Sequence, residues 1–226
     1  MTNIQQLNIN GRKILQRSAA ESSNSKGTLV ILHGYGADEY DLMGLAPYFD
    51  PNLHILSIRG PGTVMYGGAS WFDIDMNADG SLRFNIEQAL ESADGVIQLV
   101  KDLQEQGIIP DHKIILAGFS QGATISQLIT LKQPELIKAL LVMSGRLTDQ
   151  VEQLLENISS LSGLPVFAGH GIHDNVIPIV FGREIVTFWE KLPVEFEHHE
   201  YPMGHEISQT ELEHIQGWLE SVLSGV

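Results

Sequence analysis

The fold is decided by the stretch from Lys113 to Lys132, which reads KIILAGFSQGATISQLITLK. The run Lys113–Ala117 at the beginning of this stretch is short and mostly apolar, as is typical of a strand buried on both faces of a sheet. The pattern of residues 121–132 predicts a helix, and Gly118-Phe119-Ser120-Gln121-Gly122 lies between the strand and the helix. In that context a G-x-S-x-G serine occupies a strained turn that lifts its hydroxyl above the sheet, and the glycines remove steric clashes. We therefore predict that Ser120 is a nucleophile.

The rest of the chain repeats this alternation of apolar runs and helix-period segments. The longest helical pattern spaces apolar residues by three and four from Ile86 to Leu103, which gives the helix one apolar face. The alternation predicts a single α/β domain over residues 1–226, with a mostly parallel sheet and helices on both faces. The other predicted strands are Thr28–Leu32, His54–Ile58, Ala139–Met143, Pro165–Ala168 and Val194–His199, and the other predicted helices are Asp149–Asn157, Gly182–Lys191 and Gln209–Leu223.

An antiparallel hairpin is predicted ahead of the parallel strands. The short runs Gln5–Ile9 and Lys13–Gln16 flank Asn10-Gly11. An Asn-Gly pair between two such runs is a strong signal for a type I′ turn. We therefore expect two antiparallel strands in this part of the fold.

Ser120 needs a neighbouring base, because a serine hydroxyl is a weak nucleophile until its proton is taken. His205 follows the last predicted strand, on a loop that Gly204 keeps open. Ligand sites in such sheets lie at the carboxyl ends of the strands. We predict His205 as the base, and His173, which follows the Pro165–Ala168 strand, remains the alternative.

An acid should orient this base, and in α/β-hydrolases the chain order is serine, acid, histidine. Asp174 fits that order and follows the strand that neighbours the one leading to His205. There its carboxylate would hold the imidazole in the useful tautomer and stabilise the imidazolium. Asp149, which follows the preceding strand, is the rival acid.

A second glycine-containing loop, His33-Gly34-Tyr35-Gly36, follows the Thr28–Leu32 strand. In this fold the loop supplies one backbone N–H to an oxyanion hole, and the residue after the nucleophile supplies the other. We predict the amides of Tyr35 and Gln121 as these donors, each worth roughly 10²–10³ in rate. The chain contains neither G-x-G-x-x-G nor G-x-x-x-x-G-K-[ST], so a nucleotide-binding loop is not expected.

The long glycine-rich stretch Gly60–Gly80 predicts a binding loop over the sheet. Its apolar residues, together with residues that follow Asp174, are candidates for the wall of an acyl-chain pocket. Two alternatives stay open, because the same side chains could close the core or form a homodimer contact. The candidate pocket residues are Met65, Trp71, Phe72, Val176, Ile177 and Phe181.

The composition of the chain disfavours several classes of binding partner and site. The chain has 226 residues, a net charge of −15 and no cysteine. An acidic chain is a poor match to nucleic acid or to an anionic membrane surface, and the lack of cysteine excludes disulfides, zinc–thiolate sites and a cysteine nucleophile. No metal site is expected. No secretory signal and no run of about 20 apolar residues is recognised, so a cytoplasmic protein without stable membrane insertion is expected.

The chain resembles the acyl-protein thioesterase, lysophospholipase and carboxylesterase family of α/β-hydrolases. This resemblance implies a small, cytosolic esterase or thioesterase without a cofactor or a large cap domain, with Ser120, Asp174 and His205 as the catalytic residues and the Tyr35 and Gln121 amides as the oxyanion hole. The chain departs from many members at Ala123, where they have glycine, and from animal thioesterases at Tyr35, where they have leucine. The matching segments, in family order, are Leu32–Asp38, Ser70–Asp73, Gly118–Gly122, His170–Asp174 with Val176–Pro178, and Gly204-His205.

The predicted function is hydrolysis of a carboxylic ester or thioester through an acyl-enzyme on Ser120. The expected substrate is a small acyl ester or thioester, with a lipid or an acylated protein as further candidates. A lysophospholipase acting on long-chain glycerophospholipids is the alternative. A peptidase or carbon–carbon hydrolase on the same triad, and a binding protein without catalysis, are the remaining readings.

Overall fold

An eight-stranded sheet forms the centre of the computed structural model, which describes residues 4–76, 82–148, 151–155 and 158–225. The strands are β1 (Ile4–Ile9), β2 (Arg12–Arg17), β3 (Gly27–Leu32), β4 (Leu53–Ile58), β5 (Ile114–Phe119), β6 (Ile137–Met143), β7 (Pro165–Gly171) and β8 (Glu195–Tyr201). Their order across the sheet is β1-β2-β4-β3-β5-β6-β7-β8. The pairs β1–β2 and β2–β4 are antiparallel and the others are parallel.

The predicted N-terminal hairpin is confirmed, with Asn10 and Gly11 at its turn. Both residues have positive φ angles, 52° and 79°, as a type I′ turn requires. β1 pairs with β2 in the register Leu7 to Ile14. The hairpin adds two antiparallel strands to one edge of the parallel sheet.

The central strands are buried on both faces because helices cover both sides of the sheet. Every residue of β3 and of β4 is buried, which explains their continuous apolar runs. The long helices are α1 (Ile86–Glu105), α2 (Gln121–Lys132), α3 (Ile179–Trp189) and α4 (Gln209–Ser224). Residues of α1, α2 and α3 pack in one core cluster, while those of α4 pack in the other together with the 3₁₀ helix Leu42–Tyr48.

The segment from Gly60 to Phe84 is more regular than the predicted loop. It contains two short antiparallel ladders, Gly62–Thr63 with Ala69–Ser70 and Ile74–Met76 with Leu82–Phe84. The 3₁₀ helix Met65–Gly67 lies at the turn of the first ladder. Residues 77–80 of the predicted loop lie outside the described residues. No large cap domain is inserted within the described ranges.

The predicted helix Asp149–Asn157 is wrong for the part that the structure describes. Two short 3₁₀ helices, Val151–Leu154 and Ile158–Leu161, occupy this region, and residues 149, 150, 156 and 157 lie outside the described residues. Stretches this short form too few hydrogen bonds to offset the cost of nucleating an α-helix, and short helical segments commonly take the tighter 3₁₀ form. The remaining 3₁₀ helices are Ser22–Asn24 and Pro134–Leu136.

A carboxyl group is buried where α4 begins. Glu211 is 0% exposed, and Gly169 in β7 provides its space, since a Cβ atom there would collide with the Glu211 carboxyl. Burial raises the pKa of Glu211 to about 8, and the nearby backbone N–H of Ser208 opposes the shift only in part. The folded protein therefore keeps this carboxyl protonated at pH values where the unfolded chain has already lost the proton.

Replacing Glu211 with glutamine should make stability less dependent on pH. The wild-type protein should lose stability as pH rises from about 4.5 towards 8, by up to about 1.4 kcal/mol per pH unit. A glutamine cannot ionise, so the advantage of Glu211→Gln over wild type should grow from pH 5 to pH 8.5 in urea unfolding. Glu220→Gln, on the exposed face of the same helix, is the control. A constant difference between wild type and Glu211→Gln would contradict a buried neutral acid.

Candidate active site

Ser120 occupies a strained turn between β5 and α2. Its φ and ψ angles are 56° and −117°, in a region that side chains disfavour. Its backbone N–H donates to the Met143 carbonyl oxygen at 2.9 Å. A Cβ atom at Gly118 would collide with the Gly122 carbonyl, and one at Gly122 would collide with the Leu32 carbonyl. The two glycines therefore permit the close approach of strand and helix that the turn needs.

The structure brings Ser120, His205 and Asp174 into one hydrogen-bonded chain. His205 Nε2 lies 2.9 Å from Ser120 Oγ, and His205 Nδ1 lies 2.7 Å from Asp174 Oδ2. Since an ionised carboxylate only accepts, Nδ1 carries the hydrogen and Nε2 is free to accept from the serine hydroxyl. The His205 ring also packs on the Phe119 ring, with 4.9 Å between centroids. Of the alternatives, His173 has an exposed side chain, and Asp149 lies outside the described residues.

A tight turn after β7 holds the Asp174 carboxylate. The side chain is fully buried, and its Oδ1 accepts hydrogen bonds from the N–H groups of Val176 and Ile177, both at 2.8 Å. Its Oδ2 is left to face His205. Two backbone donors on one oxygen compensate for burying the charge and fix the plane of the carboxylate.

His170 was not recognised from the sequence as a member of the site. The structure places its Nε2 at 2.8 Å from the Ile177 carbonyl oxygen and at 3.5 Å from Asp174 Oδ2. Burial lowers the pKa of His170, so the ring is neutral at pH 7. The sequence signals were its position at the end of a strand, four residues before Asp174, and its place in the matching segment His170–Asp174.

The predicted oxyanion loop lies directly against the nucleophile. A Cβ atom on Gly34 would contact the Ser120 Cβ at 3.3 Å. Gly36, at φ 81°, donates its N–H to the Ala69 carbonyl oxygen at 2.8 Å. Tyr35 lies between these two glycines, with its side chain half exposed. Gln121 begins α2, where backbone N–H groups have no partner within the helix and the helix dipole is positive.

The oxyanion loop is held by a buried histidine, His33, through hydrogen bonds. His33 is 0% exposed, and its Nε2 accepts the N–H of Gly60 at 2.9 Å. Nδ1 therefore carries the hydrogen, and it donates to the Gly34 carbonyl oxygen at 2.7 Å. Burial lowers the pKa of His33, which keeps the ring neutral. The sequence placed His33 at the start of the predicted oxyanion loop but did not indicate its hydrogen-bond partners.

The side chain of Gln121 joins the turn to the Trp71-Phe72 segment. Its Oε1 accepts the Trp71 N–H at 2.7 Å, and its Nε2 donates to the Phe72 carbonyl oxygen at 2.6 Å. The Trp71 indole in turn donates to the His33 carbonyl oxygen at 2.8 Å. Gln121 and Trp71 together therefore link the turn at Ser120, the Trp71-Phe72 segment and the loop after β3.

The six candidate pocket residues divide by exposure. Trp71 and Phe72 are 1% and 5% exposed and belong to the core that faces α1. The structure therefore favours the alternative in which these two side chains close the core. Met65 and Val176 are 81% and 64% exposed. Ile177 and Phe181 are half-buried. Contact of the last four with a substrate stays a prediction.

Within the described ranges, no three His, Asp or Glu residues converge as a metal site would need. Asp73, in the loop after β4, is instead hydrogen-bonded to the Gln88 side chain at 2.9 Å.

The sheet order, the N-terminal hairpin and the strand–turn–helix at Ser120 define an α/β-hydrolase fold. The model of the Phospholipase/Carboxylesterase family matches residues 16–223. The chain belongs to this family, as the sequence motifs predicted.

Individual proteins agree with this assignment. Acyl-protein thioesterase 1 of Debaryomyces hansenii is 26% identical, over 92% of this chain and 96% of its own length. Lysophospholipase-like protein 1 of Mus musculus is 29% identical, over 73% of this chain and 70% of its own length. The crystal structure of esterase PE8 is 26% identical with a TM-score of 0.77, covering 92% of this chain and 97% of that one.

Replacing Gly122 with alanine should destabilise the protein. The added Cβ would meet the carbonyl groups of Leu32 and His33, which cannot move without shifting β3, and such overpacking costs about 1–3 kcal/mol. Urea unfolding of Gly217→Ala provides the control, because that helical glycine has open space around it and alanine is the better helix former. Equal stability of the two variants would contradict the close approach at the turn.

Proposed function

We propose that this protein is a serine hydrolase that cleaves carboxylic esters or thioesters through an acyl-enzyme. The observation that carries the proposal is the chain of hydrogen bonds from Ser120 Oγ through His205 to Asp174, at 2.9 and 2.7 Å. The family, and the names of the thioesterase and esterase relatives, support the same reaction class.

In the first half of the proposed reaction, Ser120 Oγ attacks the acyl carbonyl carbon while His205 Nε2 takes the hydroxyl proton. The negative charge that develops on the carbonyl oxygen is stabilised by the amides of Tyr35 and Gln121. Asp174 stabilises the imidazolium of His205 and keeps its ring in place. The tetrahedral intermediate collapses when His205 gives its proton to the leaving alkoxide or thiolate, which departs as the alcohol or thiol.

The second half reverses these roles with water. His205 removes a proton from a water molecule, and the resulting hydroxide attacks the carbonyl carbon of acyl-Ser120. The second tetrahedral intermediate uses the same two amides. His205 then returns the proton to Ser120 Oγ, and the carboxylic acid leaves.

Apolar side chains at the same edge of the sheet favour an apolar acyl group. Tyr35 is 50%, Met65 81% and Val176 64% exposed. Tyr35 follows the glycine that lies against Ser120, and Val176 donates its N–H to Asp174. Met65 lies at the turn of the short ladder that is hydrogen-bonded to the oxyanion loop. Exposed apolar groups around a catalytic residue are typical of a surface that binds an apolar ligand. We propose that they contact the acyl chain.

The nucleophile can be tested with a fluorophosphonate probe and with hydrolysis of p-nitrophenyl acetate. Wild type should be labelled at Ser120, as shown by peptide mapping, and should turn over the ester. Ser120→Ala should not be labelled, and its kcat should fall by about 10⁴- to 10⁶-fold. Ser126→Ala, in the buried part of α2, is the matched control and should keep both properties. Labelling at another residue would overturn the assignment, and a wild type that neither labels nor hydrolyses any acyl ester would favour a binding protein.

The substrate class can be tested with acyl chains of increasing length. Each methylene added to a p-nitrophenyl ester or an acyl thioester should raise kcat/KM by up to about four-fold until the apolar surface is covered, since burying one CH₂ contributes about 0.8 kcal/mol. Lysophosphatidylcholine should be a poorer substrate. The name of the mouse relative makes the opposite result the alternative: activity confined to the lysophospholipid would establish a lysophospholipase.

The cytoplasmic location, the homodimer and the absence of a nucleic-acid partner stay predictions. In the part of the chain that the structure describes, no helix is long and apolar enough to cross a membrane.

A further inference from the structure

His170 connects the end of β7 to the turn that carries Asp174. Its side chain is 6% exposed, and its Nε2 lies 2.8 Å from the Ile177 carbonyl oxygen. A carbonyl oxygen can only accept, so Nε2 carries the hydrogen and donates it. The strand end and the far side of the turn are therefore joined by one side chain.

Ile177 transmits this contact to the carboxylate. Its carbonyl accepts from His170, while its N–H donates to Asp174 Oδ1 at 2.8 Å. A displacement of Ile177 would move one of the two backbone donors that fix the carboxylate plane. The near side of the turn is held separately, by the N–H of Ile172 on the Tyr201 carbonyl and the N–H of His173 on the Met203 carbonyl.

Helix α3 is shaped to receive the His170 ring. A Cβ atom at Gly182 would lie 2.7 Å from the ring, so a larger residue there would displace the imidazole. Glu200 of β8 faces the same region and is paired with Arg183 of α3 at 2.7 Å. The ring is thus enclosed by α3, β8 and the turn.

A neutral His170 ring is compatible with its position next to the Asp174 carboxylate. Burial is the main cause that lowers its pKa, and a proton on His205 during the reaction would act in the same direction. The Ile177 carbonyl, Asp174 and Glu200 oppose the shift. A protonated ring 3.5 Å from Asp174 Oδ2 would compete with His205 for the carboxylate, whereas a neutral ring donates one hydrogen bond to Ile177 and leaves Oδ2 to His205.

We propose that His170 is a positioning residue, whose hydrogen bond to the Ile177 carbonyl holds Asp174 in line with His205. It does not touch the reacting atoms and acts through Asp174 alone. The inference rests on the proposed function, and it adds one residue that holds the triad in its working geometry.

The test compares His170→Phe, which keeps a ring but removes the donor, with His170→Gln, whose side-chain amide can donate to Ile177. With p-nitrophenyl acetate, kcat of His170→Phe should fall by up to about 10²-fold, because small misplacements of catalytic groups have effects of that size. KM should stay within about two-fold, because His170 acts on the chemical step through Asp174 and the acetyl group offers the apolar surface almost no chain to bind. His170→Gln should recover most of the lost kcat. The low-field proton resonance of the His205–Asp174 hydrogen bond should shift in His170→Phe and return in His170→Gln.

His112→Phe is the control, because it changes an exposed histidine that precedes β5, at the opposite end of that strand from Ser120, and it should leave kcat and KM as in wild type. Gly182→Ala provides a second route to the same test if His170→Phe does not fold. It retains His170 but displaces the ring, and it should lower kcat without lowering helix stability, because alanine favours the helix.

Two results would overturn the inference. The first is wild-type kcat and an unshifted proton resonance in His170→Phe, or in Gly182→Ala if that variant replaces it. The second is a fall in kcat of His170→Phe that is accompanied by a comparable change in KM and is not recovered in His170→Gln. Fluorophosphonate labelling of wild type in the same series separates this from failure of the proposed function. A labelled, active wild type with unimpaired His170 variants contradicts only the role of His170.

Discussion

The structure depends on the close approach of β5 and α2 around Ser120. The serine backbone is held at φ 56° and ψ −117°, which costs of order 1–3 kcal/mol. The cost is offset by packing, since residues 121–131 of α2 are all buried. The Gly122 carbonyl fills the space beside Gly118, and the Leu32 and His33 carbonyls fill the space beside Gly122, so the turn leaves no room for a side chain at either glycine.

The parallel order of the strands brings the other loops of the site next to Ser120. β5 is bordered by β3 and β6, and β7 and β8 follow on the β6 side. The carboxyl ends of these parallel strands meet at one edge of the sheet, where each strand contributes one loop. Gly34 follows β3, Asp174 follows β7 and His205 follows β8. Residues 85 positions apart, Ser120 and His205, come within 2.9 Å of each other in this way.

Buried polar side chains then fix these loops. Gln121 bonds two backbone groups of the Trp71-Phe72 segment, and His33 bonds both Gly34 and Gly60. Each of these groups is buried and hydrogen-bonded, which makes an arrangement that is costly to distort. Trp71 and Phe72 support the site from the core, although their position in a glycine-rich segment had favoured a pocket wall equally.

The sequence by itself determined the parallel α/β architecture and the N-terminal hairpin, and it predicted Ser120 with His205 and Asp174 in preference to His173 and Asp149. Those features depend on local signals: continuous apolar runs, the Asn10-Gly11 turn, and functional residues placed just after strands. Tertiary structure alone decided the short 3₁₀ helices after β6, the burial of Trp71, and the contacts of His170 and His33. A side chain's burial and partners depend on which distant segments pack against it, and a single sequence does not state those neighbours.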